Sequence, residues 1–309
     1  MPAEVPSPRL GWNLARDVSQ VVEYHFMVNA LLAGGIVAVM AGVVGWMMVL
    51  RRETFAGHTL SMMAFPGASA AALVGVPAAW GYFGFCGLGA LAIGRLSGGR
   101  RPSSWSEESA GIGAFQASAL AAGFLLVSLY GGVLGDLENL LFGNLLGVSD
   151  AQVVLLGSVA AVTVVLLGSF ARPLLFASVD PEVAAARGVA VRGLAVAFLV
   201  LLGVAVAVTS QITGPLLVFA LLVMPAASAQ SLTARPGTSL ALTVVLGVAV
   251  TWLGLALSYF SVYPASFFIA TISFAVYLLA RLLAALSRGA RRRAGDVVVA
   301  EASPRGVLA

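Results

Sequence analysis

The sequence has no lysine, one cysteine and two histidines, and only 10% of its 309 residues are charged. Each shortage removes a class of function. Without lysine there is no phosphate-binding glycine loop of the usual kind, so the chain does not hydrolyse nucleotide by that route. A single cysteine, Cys86, forms no intramolecular disulfide, and its apolar surroundings read as those of a small buried hydrophobe. Two histidines are too few for a multi-histidine centre, and no serine or cysteine nucleophile has a partner set. An enzyme is therefore not expected. A soluble domain carries about 25% charged residues, so the scarcity of charge excludes a large soluble core.

What is abundant is apolar: 60% of the residues are hydrophobic. A membrane helix needs about 20 such residues in a row. The runs at 26–50, 54–75, 78–96, 111–130, 151–170, 194–208, 215–231, 239–260 and 265–283 meet or approach that length. The fold class is all-α, a polytopic integral membrane protein with about nine transmembrane helices. Eight or ten remain open, because the polar break at 209–214 (TSQITG) allows a re-entrant or broken helix. The chain divides into an N-terminal segment at 1–25, a transmembrane domain at 26–285 and a C-terminal tail at 286–309. Residues 1–25 lack the apolar core of a cleavable signal peptide and hold a candidate interfacial amphipathic helix from Asn13 to His25. The tail is charged and reads as disordered.

Arginine sets the orientation. With nine spans, 15 of the 17 basic residues fall on one side, at Arg51, Arg52, the loop from Arg95, the stretch from Arg172 to Arg192, Arg235, and Arg281 onward. The other side carries Arg9 and Arg16 with Asp17, Glu23, Asp136, Glu138 and Asp150. This arrangement predicts an external N-terminus and a cytoplasmic C-terminus. The 35 glycines read mainly as sites of close helix packing.

Three stretches carry chemistry. The first runs from Arg51 to Gly67, RRETFAGHTLSMMAFPG. An ionisable side chain inside a membrane helix is costly and by default a functional candidate. His58, Ser61 and Met62 share one helical face, with Phe65 extending it. Imidazole and thioether suit zinc, copper, iron and nickel. The plain alternative is a hydrogen-bonded packing histidine among packing methionines. The second stretch is SVDPEVAAARGV, where Asp180 before Pro181 opens a short helix, Glu182 complements its dipole, and Gly188 ends it. It sits between two spans and reads either as a docking surface for a driving protein or as an ordinary connection. The third is QITGPLLVFALLVMPAASAQSL, in which Gly214, Pro215 and Pro225 interrupt an apolar run; such breaks occur where helices line a cavity or pack in protein. Between the fourth and fifth spans, DLENLLFGNLLGVS has the spacing of a short interfacial helix.

These stretches, with FMVNALLAGGIVAVMAGVVGWMMVLRRETFAG before them, resemble in order the permease subunits of ABC importers for zinc, manganese and iron ions, over roughly residues 25–285. The resemblance implies an ABC importer permease fold working as a homodimer in the cell membrane. It implies a cytoplasmic ABC ATPase subunit docking at Asp180, Pro181, Glu182 and Gly188, and an external metal-binding lipoprotein. No cofactor is bound, no nucleic acid is a partner, and the cargo is a divalent or soft metal ion passing His58 and Met62 with Ser61 lining the path. The family usually has an acidic residue at His58 and a histidine at Met62, whereas Ser61, Pro66 and Gly67 match. A neutral, softer pair points toward zinc, copper or a metal chelate, and import of a chelate or other small solute is the alternative.

Overall fold

The computed structural model describes residues 20–97, 105–130, 143–261 and 263–302, and among these every regular element is helical. The elements in order are α1 (His25–Leu50), α2 (Thr54–Val74), α3 (Ala78–Ser97), α4 (Trp105–Tyr130), a 3₁₀ turn (Leu145–Gly147), α5 (Asp150–Val179), α6 (Pro181–Ala186), α7 (Val191–Leu232), α8 (Pro236–Tyr259) and α9 (Ala265–Ala302). The expected stretches around Asp136 and Glu138, and most of the N-terminal segment, lie outside the described residues.

Among the described residues six helical stretches are long and apolar enough to cross a membrane by length and composition: His25–Leu50, Ala110–Tyr130, Asp150–Val179, Val191–Pro215, Pro236–Tyr259 and Ala265–Ser287. The expected count of about nine is therefore not reached on this measure. α2 and α3 fall short because they carry hydroxyls, His58 and many small residues. The physical reason is their position: α2 packs against α3, α4 and α7, so most of its surface meets protein. A helix facing protein can afford small and polar residues that a lipid-facing one cannot.

α7 is the centre of the bundle and touches α1, α2, α3, α5, α8 and α9. It is 42 residues long, and within it only Gly214 departs from helical geometry, with φ 72° and ψ 156°. The expected polar break at 209–214 is therefore helical up to that one residue. Thr209 and Thr213 keep their hydroxyls on the carbonyls of Ala205 and Thr209 in the preceding turn. The contacts show how sharply the chain turns there. Phe198 lies under the Arg51 guanidinium at 5.3 Å, and Gln230 donates to the Trp46 carbonyl at 2.8 Å. On one straight helix Phe198 and Gln230 would stand about 48 Å apart at ~1.5 Å per residue. Both instead reach the end of α1, so the two limbs of α7 double back at Gly214.

The two ends of the bundle are also fixed by contacts. At one end His25 and Asn29, near the start of α1, meet Asp150 at the start of α5: His25 Nε2 lies 2.9 Å and Asn29 Nδ2 2.5 Å from Asp150 Oδ1. At the other, Arg51 after α1 donates to Ser178 in the last turn of α5 at 3.1 Å. α1 and α5 therefore run parallel. α5 continues well past the expected residue 170, through Pro173, to Val179. α9 likewise continues to Ala302, through residues the sequence reading left without regular structure; alanine and arginine there are good helix formers.

Candidate functional site

The helix α2 begins after a tight junction. Arg52 N–H donates to the Val49 carbonyl at 3.1 Å and Glu53 N–H to the Met48 carbonyl at 3.0 Å. This is the paired bonding that closes a helix with a left-handed residue. Here that residue is Arg52, at φ 61°. α2 then carries Pro66 in its interior. Proline has no N–H to give, so the carbonyl of Met62, four residues back, loses its helical donor.

From Ala56 to Ser69, every residue of α2 is buried except His58 and Met62, which are half-buried. The two sequence candidates thus share the one open strip on an otherwise enclosed helix. The His58 ring stands edge-on to Phe219 of the second α7 limb, with centroids 4.7 Å apart. Its Nδ1 is buried and has no hydrogen-bond partner. Such an atom is costly to leave unmade. The strip therefore holds the His58 imidazole, whose enclosed Nδ1 is unpartnered, and the Met62 thioether.

Ser61 is placed differently from its expected lining role. It is fully buried, and its hydroxyl donates to the His58 carbonyl at 2.7 Å. It braces the helix beneath the strip. Phe65, expected to continue the face, is also buried and packs on Phe124 of α4 with ring centroids 5.1 Å apart. Among the described residues no group of three or more His, Cys, Asp or Glu side chains gathers to hold a metal. The strip of one chain supplies a few donors and no complete coordination shell.

The second candidate forms as its sequence predicts. Asp180 caps α6, its Oδ1 accepting from the Val183 N–H at 3.0 Å, with Pro181 at the first helical position and Glu182 in the first turn. At the other end Gly188, at φ 80°, closes the helix: its N–H reaches the Ala185 carbonyl at 3.0 Å, and Val189 N–H reaches the Ala184 carbonyl at 3.0 Å. A helix of only 6 residues is held rigid by caps at both ends. Ala184 is buried, while Glu182, Val183 and Ala185 face outward.

Sequence reasoning placed Arg51 at the head of the His58 stretch and among the topology charges, and missed what its side chain contacts. The signal available was Glu53 two residues on, close enough for a local ion pair. It also missed the loop that packs over the α7 turn. Gly143, at φ 70°, sits so close that a Cβ there would lie 2.2 Å from the Ile212 carbonyl oxygen.

A doubled-back bundle of apolar helices, a half-open polar strip on a buried helix and a rigid capped helix at the arginine-bearing end together define a membrane permease. The ABC 3 transport family matches residues 23–284, and the chain belongs to that family. It is 31% identical over 250 residues to the manganese transport system membrane protein MntC of Halalkalibacterium halodurans, covering 81% of this chain and 83% of that one. It is 29% identical over 272 residues to the manganese import system permease protein ScaB of Streptococcus gordonii, covering 88% and 96%. Among solved structures, PsaBC from Streptococcus pneumoniae in complex with Fab superposes with a TM-score of 0.75 at 28% identity, covering 86% of this chain and 95% of that one.

Proposed function

We propose that this chain is the permease subunit of an ABC importer carrying a divalent transition-metal ion into the cell, with the His58–Met62 strip of α2 lining the path. The observation that carries the site assignment is the burial pattern of α2: only those two residues stay open over its central four turns. The manganese-transport relatives support the cargo class. The strip's own side chains are an imidazole and a thioether, softer on balance than the carboxylates and waters that suit manganese. Zinc is thus carried alongside manganese in this reading.

One strip is an incomplete shell. A second copy of the chain, related by a two-fold axis, would bring a second identical strip to the same place, and this supports a homodimer with the path between the copies. Power comes from a separate cytoplasmic ATPase docking on α6, and cargo from an external solute-binding lipoprotein. The long helices, with α7 counted as two limbs, support nine crossings. The bundle end that holds Arg51, Arg187, Arg192 and Arg235 would face the cytoplasm, which puts the C-terminus inside.

The test is radiometal uptake in cells stripped of their own manganese and zinc importers and supplied with this permease and its partner genes. Wild type should restore uptake of Mn²⁺, Zn²⁺ or both. The His58→Ala, Met62→Ala double variant, present in the membrane at equal amount, should lose at least tenfold. Undiminished uptake by the double variant would remove the strip from the path.

A further inference from the structure

Arg51 makes three side-chain hydrogen bonds and a ring contact, and transport as proposed above does not yet use it. Its side chain is only 11% exposed. Nε and Nη2 donate to Glu53 Oε1 at 3.0 and 2.7 Å, Nη1 donates to Ser178 Oγ at 3.1 Å, and the guanidinium lies over the Phe198 ring at 5.3 Å. Each partner belongs to a different helix. Glu53 is the residue from which α2 starts, and its carbonyl accepts the Gly57 N–H at 3.0 Å. Ser178 is two residues before Asp180, the cap of α6, and its hydroxyl is itself anchored to the Leu174 carbonyl at 2.6 Å. Phe198 is fully buried in the first limb of α7, which follows directly from α6.

α6 packs on α5 and α7, and α2 is not among its substantial neighbours. A push on α6 can reach α2 by two routes, through α7, which packs on α2 directly, and through the α1–α2 junction that opens α2. The guanidinium fork is planar and rigid and holds its donors in fixed directions. A buried charge cannot follow one partner and abandon another without leaving donors unmade, which is expensive. The α1–α2 junction that carries Arg51 is itself closed by backbone bonds on both sides. Displacement of the α5 end or the α7 start is thereby passed to the first turn of α2.

Resting on the import reading, we propose that Arg51 is the positioning residue that couples α6 to the His58–Met62 helix, acting through Ser178 and Phe198 on one side and Glu53 on the other.

The permease, assembled with its partner ATPase in nanodiscs, tests this with two readouts. Spin labels at Ala185 on α6 and at Phe55 on α2, each paired with a reference label at Val245 on α8, report ATP-dependent displacement without any cargo. Both distances should shift in the wild type. In Arg51→Ala the Ala185 shift should persist and the Phe55 shift should vanish, and Arg51→Lys, a point charge without the fork, should recover part of it. A Phe55 shift that survives Arg51→Ala overturns the proposal. In proteoliposomes, Mn²⁺ moved per ATP hydrolysed should fall at least tenfold in Arg51→Ala while ATP hydrolysis stays within about twofold of wild type. Unchanged transport per ATP also overturns it. Should Arg51→Ala fail to assemble, Ser178→Ala removes a single hydrogen bond and should cut the Phe55 shift severalfold; a full shift in that variant overturns the Ser178 leg. A wild-type complex that moves no Mn²⁺ but shows both label shifts counts against manganese as cargo and leaves the coupling role judged by the labels.

Discussion

Gly67 and Gly81 lie back to back where α2 crosses α3, each occupying the space a side chain on the other would need. A Cβ on Gly67 would stand 2.3 Å from the Gly81 carbonyl oxygen, and one on Gly81 would stand 2.0 Å from that of Gly67. Backbone cannot move aside as a side chain can. Gly67→Ala or Gly81→Ala should each cost about 3 kcal/mol, the upper part of the range for overpacking. Gly84→Ala and Gly87→Ala, further along α3, are the controls, because a Cβ there meets nothing within 4 Å. Those two should be neutral or stabilising by up to ~1 kcal/mol through helix propensity. Thermal unfolding of the four detergent-purified variants separates the cases.

The cap of α6 gives a more local prediction. Asp180 Oδ1 satisfies the Val183 N–H, and loss of such a cap costs about 1 kcal/mol. In Asp180→Ala, amide exchange at Val183 should quicken roughly fivefold, as ~1 kcal/mol implies. Asp180→Ser keeps an acceptor oxygen and should stay within about twofold of wild type, since serine caps nearly as well as aspartate. Equal exchange in all three proteins would mean that the side chain does not hold the helix end.

Much of this fold was legible in the sequence, and the reasons are specific. Runs of apolar residues bounded by arginine or proline placed nearly every long helix, because the bilayer imposes a length and a composition together. Asp180-Pro181 and Gly188 placed α6 because capping is a local affair. What was not legible depends on long-range contacts. The two limbs of α7 were expected as separate spans at 194–208 and 215–231, but that Phe198 and Gln230 meet the same end of α1 is a relation that no window of sequence contains. Ser61 shares its helical face with His58, yet its hydroxyl turns back to the helix; periodicity gives the face but not the hydrogen bond. α2 and α3 were read as ordinary spans, while their low apolarity reflects burial against α4 and α7, which depends on the assembled bundle.

A buried polar pair ties α1 to α8. The Trp46 indole N–H donates to Ser239 Oγ at 3.0 Å, and the two residues are 5% and 2% exposed. Ser239→Ala leaves the indole donor unmade and should cost about 1–2 kcal/mol. Trp46→Phe should cost more, since it also removes packing volume. The two changes share one bond, so the double variant should be more stable than the sum of the singles predicts, by about 0.5–1.5 kcal/mol. Additive losses in denaturation of the single and double variants would show that the bond contributes nothing.

Gly214 is the residue on which the doubling back of α7 depends. Its φ of 72° and ψ of 156° fall in a region that is essentially reserved for glycine. Any Cβ there is strained whatever the free space. The loop at Gly143 compounds this, because Gly143 approaches the Gly214 nitrogen so closely that its own Cβ would lie 2.5 Å away. Gly214→Ala should therefore cost about 1–3 kcal/mol from backbone strain alone, and a bulky β-branched residue more. The two limbs carry Phe198 under Arg51 and Phe219 against His58. Straightening the turn would pull both contacts apart at once. In Gly214→Ala the loss should appear as reduced thermal stability together with reduced metal uptake per molecule in the membrane. In Gly193→Ala, near the start of α7, the added Cβ comes only to 3.8 Å from Ala190 and both should hold. Matching behaviour of the two variants would show that the turn at Gly214 does not need glycine.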